Sequence, residues 1–133
     1  MFGRSRKSDT TEARARRDLE NKLDSISRSQ AIIEFSLDGT ILTGNENFLS
    51  AMGYSAAEIV GRHHSIFIDP VEAATDGYRE FWQKLRDGQF VSQKFRRLAK
   101  GGREVWIQAS YNPVLDADGK AYKVMKVAVD ITQ

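Results

Sequence analysis

His63 and His64 are the two histidines of a 133-residue chain that contains no cysteine, and they stand beside Ser65 and Asp69. An imidazole there offers two kinds of chemistry: axial ligation of a haem iron and, with a hydroxyl and a carboxylate, acyl transfer. Hydrolytic triads are assembled from distant segments with the nucleophile on a strained turn, which this short segment does not announce. The chain also lacks G-x-S-x-G, a P-loop, a dinucleotide-binding glycine fingerprint and a zinc-helix motif. We therefore expect no catalytic function. Adjacent side chains point about 100° apart on a helix and to opposite faces on a strand. Only one of the two histidines then enters a pocket, and they do not form a paired metal site. The absence of cysteine removes disulfides, thiolate metal ligands, thiol nucleophiles and thiol photochemistry.

Charge narrows the partners. The formal balance is +2, but residues 1–17 hold six basic side chains (Arg4, Arg6, Lys7, Arg14, Arg16, Arg17) against Asp9 and Glu12. That local +4 leaves 14 basic and 16 acidic residues, or −2, for the remainder. A duplex-binding surface needs clustered cations to displace counterions; here only a solvated tail carries them, and no nucleic-acid partner is expected. With 41% hydrophobic and 29% charged residues the composition is that of one soluble globular module. No run reaches the roughly 18 apolar residues of a membrane span, and the amino terminus lacks a secretory h-region, so a cytoplasmic protein without a membrane span is expected.

The elements that position these residues follow from local signals. Residues 1–30 read as a basic tail and an amphipathic helix, and 31–133 as the domain proper. Asp9-Thr10-Thr11-Glu12 has capping-box spacing and predicts a helix start, after which Leu19, Leu23 and Ile26 form one apolar seam. The seam is too short for an autonomous coiled coil and needs a partner surface. From Ala31 the pattern turns extended, and Asp38-Gly39 between two β-prone runs predicts a hairpin with both turn positions open to positive φ. Asn45 predicts an N-cap for a helix carrying Phe48, Leu49 and Met52 and ending at Gly53, and Ser55 to Glu58 is a second capping box. Tyr78, Phe81, Trp82 and Leu85 make an aromatic helical stripe closed by Gly88. Extended segments follow at 90–98, 104–114 and 122–132, separated by Lys100-Gly101-Gly102 and by Asp116 to Gly119.

This order predicts an α+β fold: a five-stranded antiparallel sheet with short helices gathered on one face and an amino-terminal capping helix. In the fourth strand Val105, Ile107, Ala109 and Tyr111 share one parity and are expected to face the helices, with Trp106 facing away. In the fifth, Met125, Val127, Val129 and Ile131 oppose Val124, Lys126, Ala128 and Asp130, and polarity does not settle which set is inside.

From Ala31 to Thr132 the chain resembles a PAS sensor domain. The residues that carry the resemblance are Asp38-Gly39 with Ile41, Asn45-x-x-Phe48, Gly53-Tyr54-Ser55-x-x-Glu58-Ile59-x-Gly61 and Trp82-x-x-Leu85-x-x-Gly88. Lys100-Gly101-Gly102 before Val105-Trp106, Asn112-Pro113-Val114 and the closing Asp130-Ile131-Thr132 complete the set. With Gly61-x-x-His64, Phe81-Trp82 and the Trp106 to Pro113 run it is similar to the PAS domains of bacterial methyl-accepting chemotaxis proteins of the aerotaxis-receptor type. The resemblance implies a sensor of redox state or oxygen that binds FAD. It also implies an output helix following Asp130-Ile131-Thr132, from residue 133 on, that drives a further signalling domain.

Flavin-binding members use an asparagine on the first helix of the domain, a histidine after the glycine and a tryptophan on the long helix, which correspond to Asn45, His64 and Trp82 here. Phe67, Ile107 and Tyr111 complete the expected cofactor-lining set. Ile68 and Asp69 stand where those receptors carry arginine and histidine, which removes a cation from the neighbourhood of a dinucleotide phosphate. Haem b is the alternative through a histidine, and a cofactor-free PAS module that dimerises or binds a small metabolite is the third reading. The seam Leu19, Leu23, Ile26 predicts a homodimer in which residues 11–29 contact the partner copy as well as the outer face of the sheet.

Overall fold

The computed structural model describes residues 2–132, with side chains from residue 10 onward. Gln133, where the resemblance places the start of an output helix, lies outside the described residues. The elements run α1 (Phe2–Ser29), β1 (Ala31–Phe35), β2 (Ile41–Gly44), α2 (Glu46–Met52), α3 (Ala56–Ile59), α4 (Pro70–Ala73), α5 (Asp76–Arg86), β3 (Val91–Leu98), β4 (Glu104–Leu115) and β5 (Ala121–Asp130), with a 3-10 turn at His64–Phe67 before α4. The five strands form one antiparallel sheet in the order β2-β1-β5-β4-β3, so the first and last strands pair at its centre. This is the expected α+β architecture.

Local chemistry accounts for most boundaries. Asn45 caps α2 by accepting from the Phe48 amide, and Gly53 ends it in the left-handed region at φ 75°. Ser55 and Glu58 form the capping box of α3. Thr75 caps α5, whose stripe buries Trp82 and Leu85 against the sheet. At the first hairpin only Gly39 takes positive φ, at 89°. The Asp38 carboxylate instead accepts from the Thr40 amide at 3.0 Å, and a bulge falls between Glu34 and Phe35. A side-chain turn with a bulge thus replaces the expected pair of left-handed residues.

Two features depart from local expectation, and a third settles a facing that local pattern leaves open. α1 begins at Phe2, so Asp9 lies within the helix and not at its start. The seam of α1 is not buried in this chain, with Leu19, Leu23 and Ile26 remaining 61%, 53% and 42% exposed. Between its last turns and the outer sheet face lies a cleft of about 280 Å³ lined by Leu23, Ser27, Ile32 and Met125. Finally, β5 turns Val124, Lys126 and Ala128 inward and the more apolar set outward. β4 faces as its parity predicts: Val105, Ile107, Ala109 and Tyr111 are buried and Trp106 is exposed.

The core lies between the sheet and α2, α3, the 3-10 turn and α5, centred on Phe35, Phe67, Trp82 and Tyr111. Among the described residues no helix is long and apolar enough to cross a membrane.

Candidate functional site

The histidine pair is split by a backbone bridge. Thr40 and His63 form an isolated antiparallel bridge, and the His64 amide donates to the Gly39 carbonyl at 2.8 Å. His63 lies over the hairpin turn, with Nε2 2.9 Å from the Asp38 carbonyl oxygen. A Cβ built on Gly39 would come within 2.6 Å of His63 Nε2, so this approach needs glycine at 39. His64, one residue on, points inward and is fully buried.

There the imidazole joins a line of hydroxyls. His64 Nδ1 lies 2.7 Å from the Tyr78 oxygen and Nε2 lies 3.0 Å from the Tyr111 oxygen. Arg97 Nη2 donates to the same Tyr111 oxygen at 3.2 Å. Its guanidinium lies 4.4 Å from the centre of the Phe95 ring, and Lys126 Nζ lies 5.0 Å from the centre of the Tyr111 ring. Around this line stand Phe35, Phe81 and Trp82, each with its ring centre within about 6 Å of the imidazole (5.1, 6.1 and 5.3 Å). α5, the 3-10 turn, β3, β4 and β5 therefore meet in one polar knot inside an aromatic wall.

Electrostatics follows from burial. Loss of solvent, reinforced by Arg97 and Lys126, holds His64 well below the usual imidazole value, so it is neutral at pH 7. A neutral ring has one donor and one acceptor, which suits a hydroxyl on each side. Burial raises the Tyr111 phenol, but Lys126 and Arg97 outweigh it and leave the group below its ordinary value. Tyr78 is pushed up to about 12, chiefly by burial. Lys126 is lowered, burial being the main cause and Tyr111 working against it. Among the described residues two buried side-chain N–H groups lack a hydrogen-bond acceptor: Arg97 Nε and Trp82 Nε1. The Trp82 group approaches the Tyr78 oxygen without reaching good geometry.

The His64 shift has a consequence for stability. Unfolded histidine titrates near about 6.5, and the folded value is lower. The unfolded chain therefore binds the proton first, and stability falls as pH drops through 6.5 towards the depressed folded value. Asp38, lowered to about 2 by its bonds to Ser36 and Thr40, contributes its own loss only at more acidic pH. Melting temperatures between pH 7 and 5 should therefore decline in the native chain and flatten in His64→Gln. An unchanged slope in the variant would assign the decline to other groups.

Of the six expected site residues, His64, Trp82 and Tyr111 come together, with Phe67 at 6.1 Å from the imidazole between ring centres. Ile107 lies on the same inner face of β4 as Tyr111. Asn45 does not join them. Its Oδ1 accepts from the Ile32 and Phe48 amides at 3.0 and 2.9 Å. Its Nδ2 donates to the Ser27 and Gln30 carbonyls at 3.1 and 2.9 Å and to the Ser27 hydroxyl at 2.9 Å. The amide is spent on joining α1 to the sheet. Arg97 and Lys126 were not foreseen as interior residues; the available signal was strand parity, which groups Arg97 with Phe95 and Lys126 with Val124 and Ala128.

A family model described as "PAS fold" matches residues 41–128. Biofilm dispersion protein BdlA of Pseudomonas aeruginosa is 47% identical over 115 residues, covering 86% of this chain and 28% of that protein. The chain thus spans little more than a quarter of that relative's length. The crystal structure of a PAS domain from Colwellia psychrerythraea aligns with a TM-score of 0.73 at 19% identity, over 86% of this chain and 97% of that one. A structure described as "Flavin Analogue Sheds Light on Light-Oxygen-Voltage Domain Mechanism" aligns with a TM-score of 0.70 at 20% identity, over 87% and 86% of the two chains. At these identities the structural matches establish shared architecture.

Proposed function

The chain belongs to the PAS-fold family, and from that premise we propose that it is the cytoplasmic sensory module of a larger chemotaxis-type signalling protein. Residues 31–133 form the sensor in this reading, and residues 1–30 the tail and coupling helix. The signal is received in the interior around His64, Trp82 and Tyr111. The observation that carries the reading is the line Tyr78, His64, Tyr111, Arg97, which joins α5 to β4 and β3. Lys126 beside Tyr111 extends it to β5, the strand that ends at Asp130. A ligand that redistributes these hydrogen bonds changes the support of β5 and of the segment after it. Such a ligand acts only through different interaction with two states.

FAD is the group proposed for this interior. The buried Trp82 Nε1–H, without an acceptor, suits the acceptor edge of a flavin, and the Trp82 and Tyr111 rings offer it an aromatic wall. When bound, the flavin supplies a redox couple whose reduction changes the charge and protonation of its ring. The chain's own part is to hold that ring, exclude water and keep a proton between His64 and the two tyrosines. Asn45 is committed elsewhere, so Trp82 Nε1 takes the donor role. Haem fits less well, because both nitrogens of the one interior imidazole are already hydrogen-bonded. An absorption spectrum of the purified chain tests this: a blue flavin band released on denaturation supports FAD, whereas a Soret band replaces it by haem. A colourless protein with no releasable chromophore leaves a cofactor-free module that dimerises or binds a metabolite.

The exposed seam of α1 supports the homodimer. Its three apolar side chains are already about half covered, so burying the remainder of each contributes roughly 1 kcal/mol, and a twofold copy of the same helix supplies the surface. Light scattering should show a dimer for the native chain and a monomer for Leu19→Glu/Leu23→Glu. A variant that stays dimeric places the contact elsewhere.

A further inference from the structure

Arg97 is 3% exposed and Lys126 1% exposed, and with His64 they are the buried polar or charged residues among those described. Among the described residues no carboxylate is buried with them. A buried cation is costly unless it is paired and its donors are satisfied. Arg97 Nη1 donates to the Arg96 carbonyl at 3.0 Å and Nη2 to the Tyr111 oxygen, while Nε–H has no acceptor. The nearest carboxylate is Glu72 at 3.9 Å, half exposed on α4 and beyond hydrogen-bond distance.

This guanidinium lies at a groove of about 220 Å³ between α5 and β3, bounded by Tyr78, Phe81 and Phe95 and edged by Thr75 and Glu72. The Tyr78 and Phe81 rings are nearly parallel, at 8° with centres 6.3 Å apart. Phe95 covers one face of the guanidinium, and the buried Nε–H without an acceptor belongs to a side chain that lines the groove. The volume is below the about 300–1,000 Å³ of drug-sized sites, which limits the occupant to roughly a single ring. Planar oxyanions pair with the edge of an arginine through parallel hydrogen bonds.

We propose that the groove between α5 and β3 binds a small aromatic carboxylic acid, with its carboxylate on Arg97 and its ring against Tyr78, Phe81 and Phe95. Glu72 holds the rim as a weak internal stand-in that the ligand displaces. The acid supplies the negative charge that the interior lacks, and through Arg97 it reaches the Tyr111 hydroxyl. The proposal rests on the reading of this interior as the receiving site, but not on which chromophore it holds.

Phenylacetate is the probe, with phenylacetamide as its uncharged counterpart and inorganic phosphate as an oxyanion without a ring. Calorimetry and thermal melting on the full chain should give saturable binding and a higher melting temperature with phenylacetate. Phenylacetamide should bind at least tenfold more weakly, and phosphate likewise. Glu72→Gln removes a like charge from the rim of the groove at an exposed position, so it should fold normally and bind phenylacetate about three- to tenfold more tightly. Arg97→Gln should lose the preference for acid over amide. Equal binding of acid and amide, equal binding of phosphate, no binding at 10 mM phenylacetate (roughly 2.7 kcal/mol or weaker by mass action), or weaker binding in Glu72→Gln each overturns the proposal. A chain that carries a flavin band yet ignores phenylacetate overturns this site alone. A chain with neither overturns both this site and the flavin reading.

Discussion

Tyr111→Phe should lower the unfolding free energy by about 2–5 kcal/mol although it removes one oxygen atom. That oxygen is shared by His64 Nε2 at 3.0 Å and Arg97 Nη2 at 3.2 Å, and it is fully buried. Without it both partners lose their bond in a place water does not reach, and each unsatisfied buried group costs about 1–3 kcal/mol. The ring itself stays, so lost apolar burial and a large cavity do not contribute. For a domain of this size each kcal/mol moves the melting temperature by roughly 3–5 °C, so a fall of about 6 °C or more is expected. Tyr122→Phe, on the exposed face of β5, is the control and should melt as the native chain does. A Tyr111→Phe chain that melts within 2 °C of native, a shift of well under 1 kcal/mol, would mean that the hydroxyl does not hold the knot together.

Lys126→Met should act in the opposite direction and stabilise the fold by about 1–4 kcal/mol. Replacing buried ionic groups by apolar ones of similar volume is often neutral or stabilising, whereas breaking a buried pair strands the other charge. Here no buried carboxylate among the described residues is stranded. The neighbours of Lys126 are the Tyr111 and Phe48 rings and the like-charged Arg97. The gain should depend on pH. The Lys126 and Tyr111 values are both lowered in the fold, so the unfolded chain binds more protons as pH rises towards 10, and the native chain gains stability there. Urea unfolding at pH 7 and pH 9.5 should therefore show the advantage of Lys126→Met shrinking at the higher pH. Destabilisation at both would show that the ammonium is part of a favourable pair with Tyr111.

Both effects rest on residues whose roles differ in how far they can be read from the chain. Asn45, the Ser55 to Glu58 box, Gly53 and Gly88 are legible because a cap or a left-handed residue involves only three or four neighbours along the backbone. The stripe of α5 and the inward parity of β4 are legible too, because each has one clearly apolar face. The family motifs sit largely on these same positions, so the resemblance and the local chemistry agree on the sheet, the helices and their order.

Other features were settled only by the assembled structure. Parity groups Val124, Lys126 and Ala128 together, but an alternating strand does not state which face is covered, and in β5 the more polar set is the buried one. The covering of that face by Tyr111 and Phe48, far away in sequence, makes the choice. Arg97 is drawn inward by the same logic, since Phe95 beside it is core and Val105 lies opposite. Asn45 reads as a local cap and is one, yet its amide also spans 18 residues to Ser27 and so faces α1, away from the His64 knot. The sequence by itself determined where the chain turns, caps and alternates, because those depend on short-range torsions and periodicity. Which polar groups end up in the dark interior depends on contacts between distant segments, and that the tertiary structure alone decided.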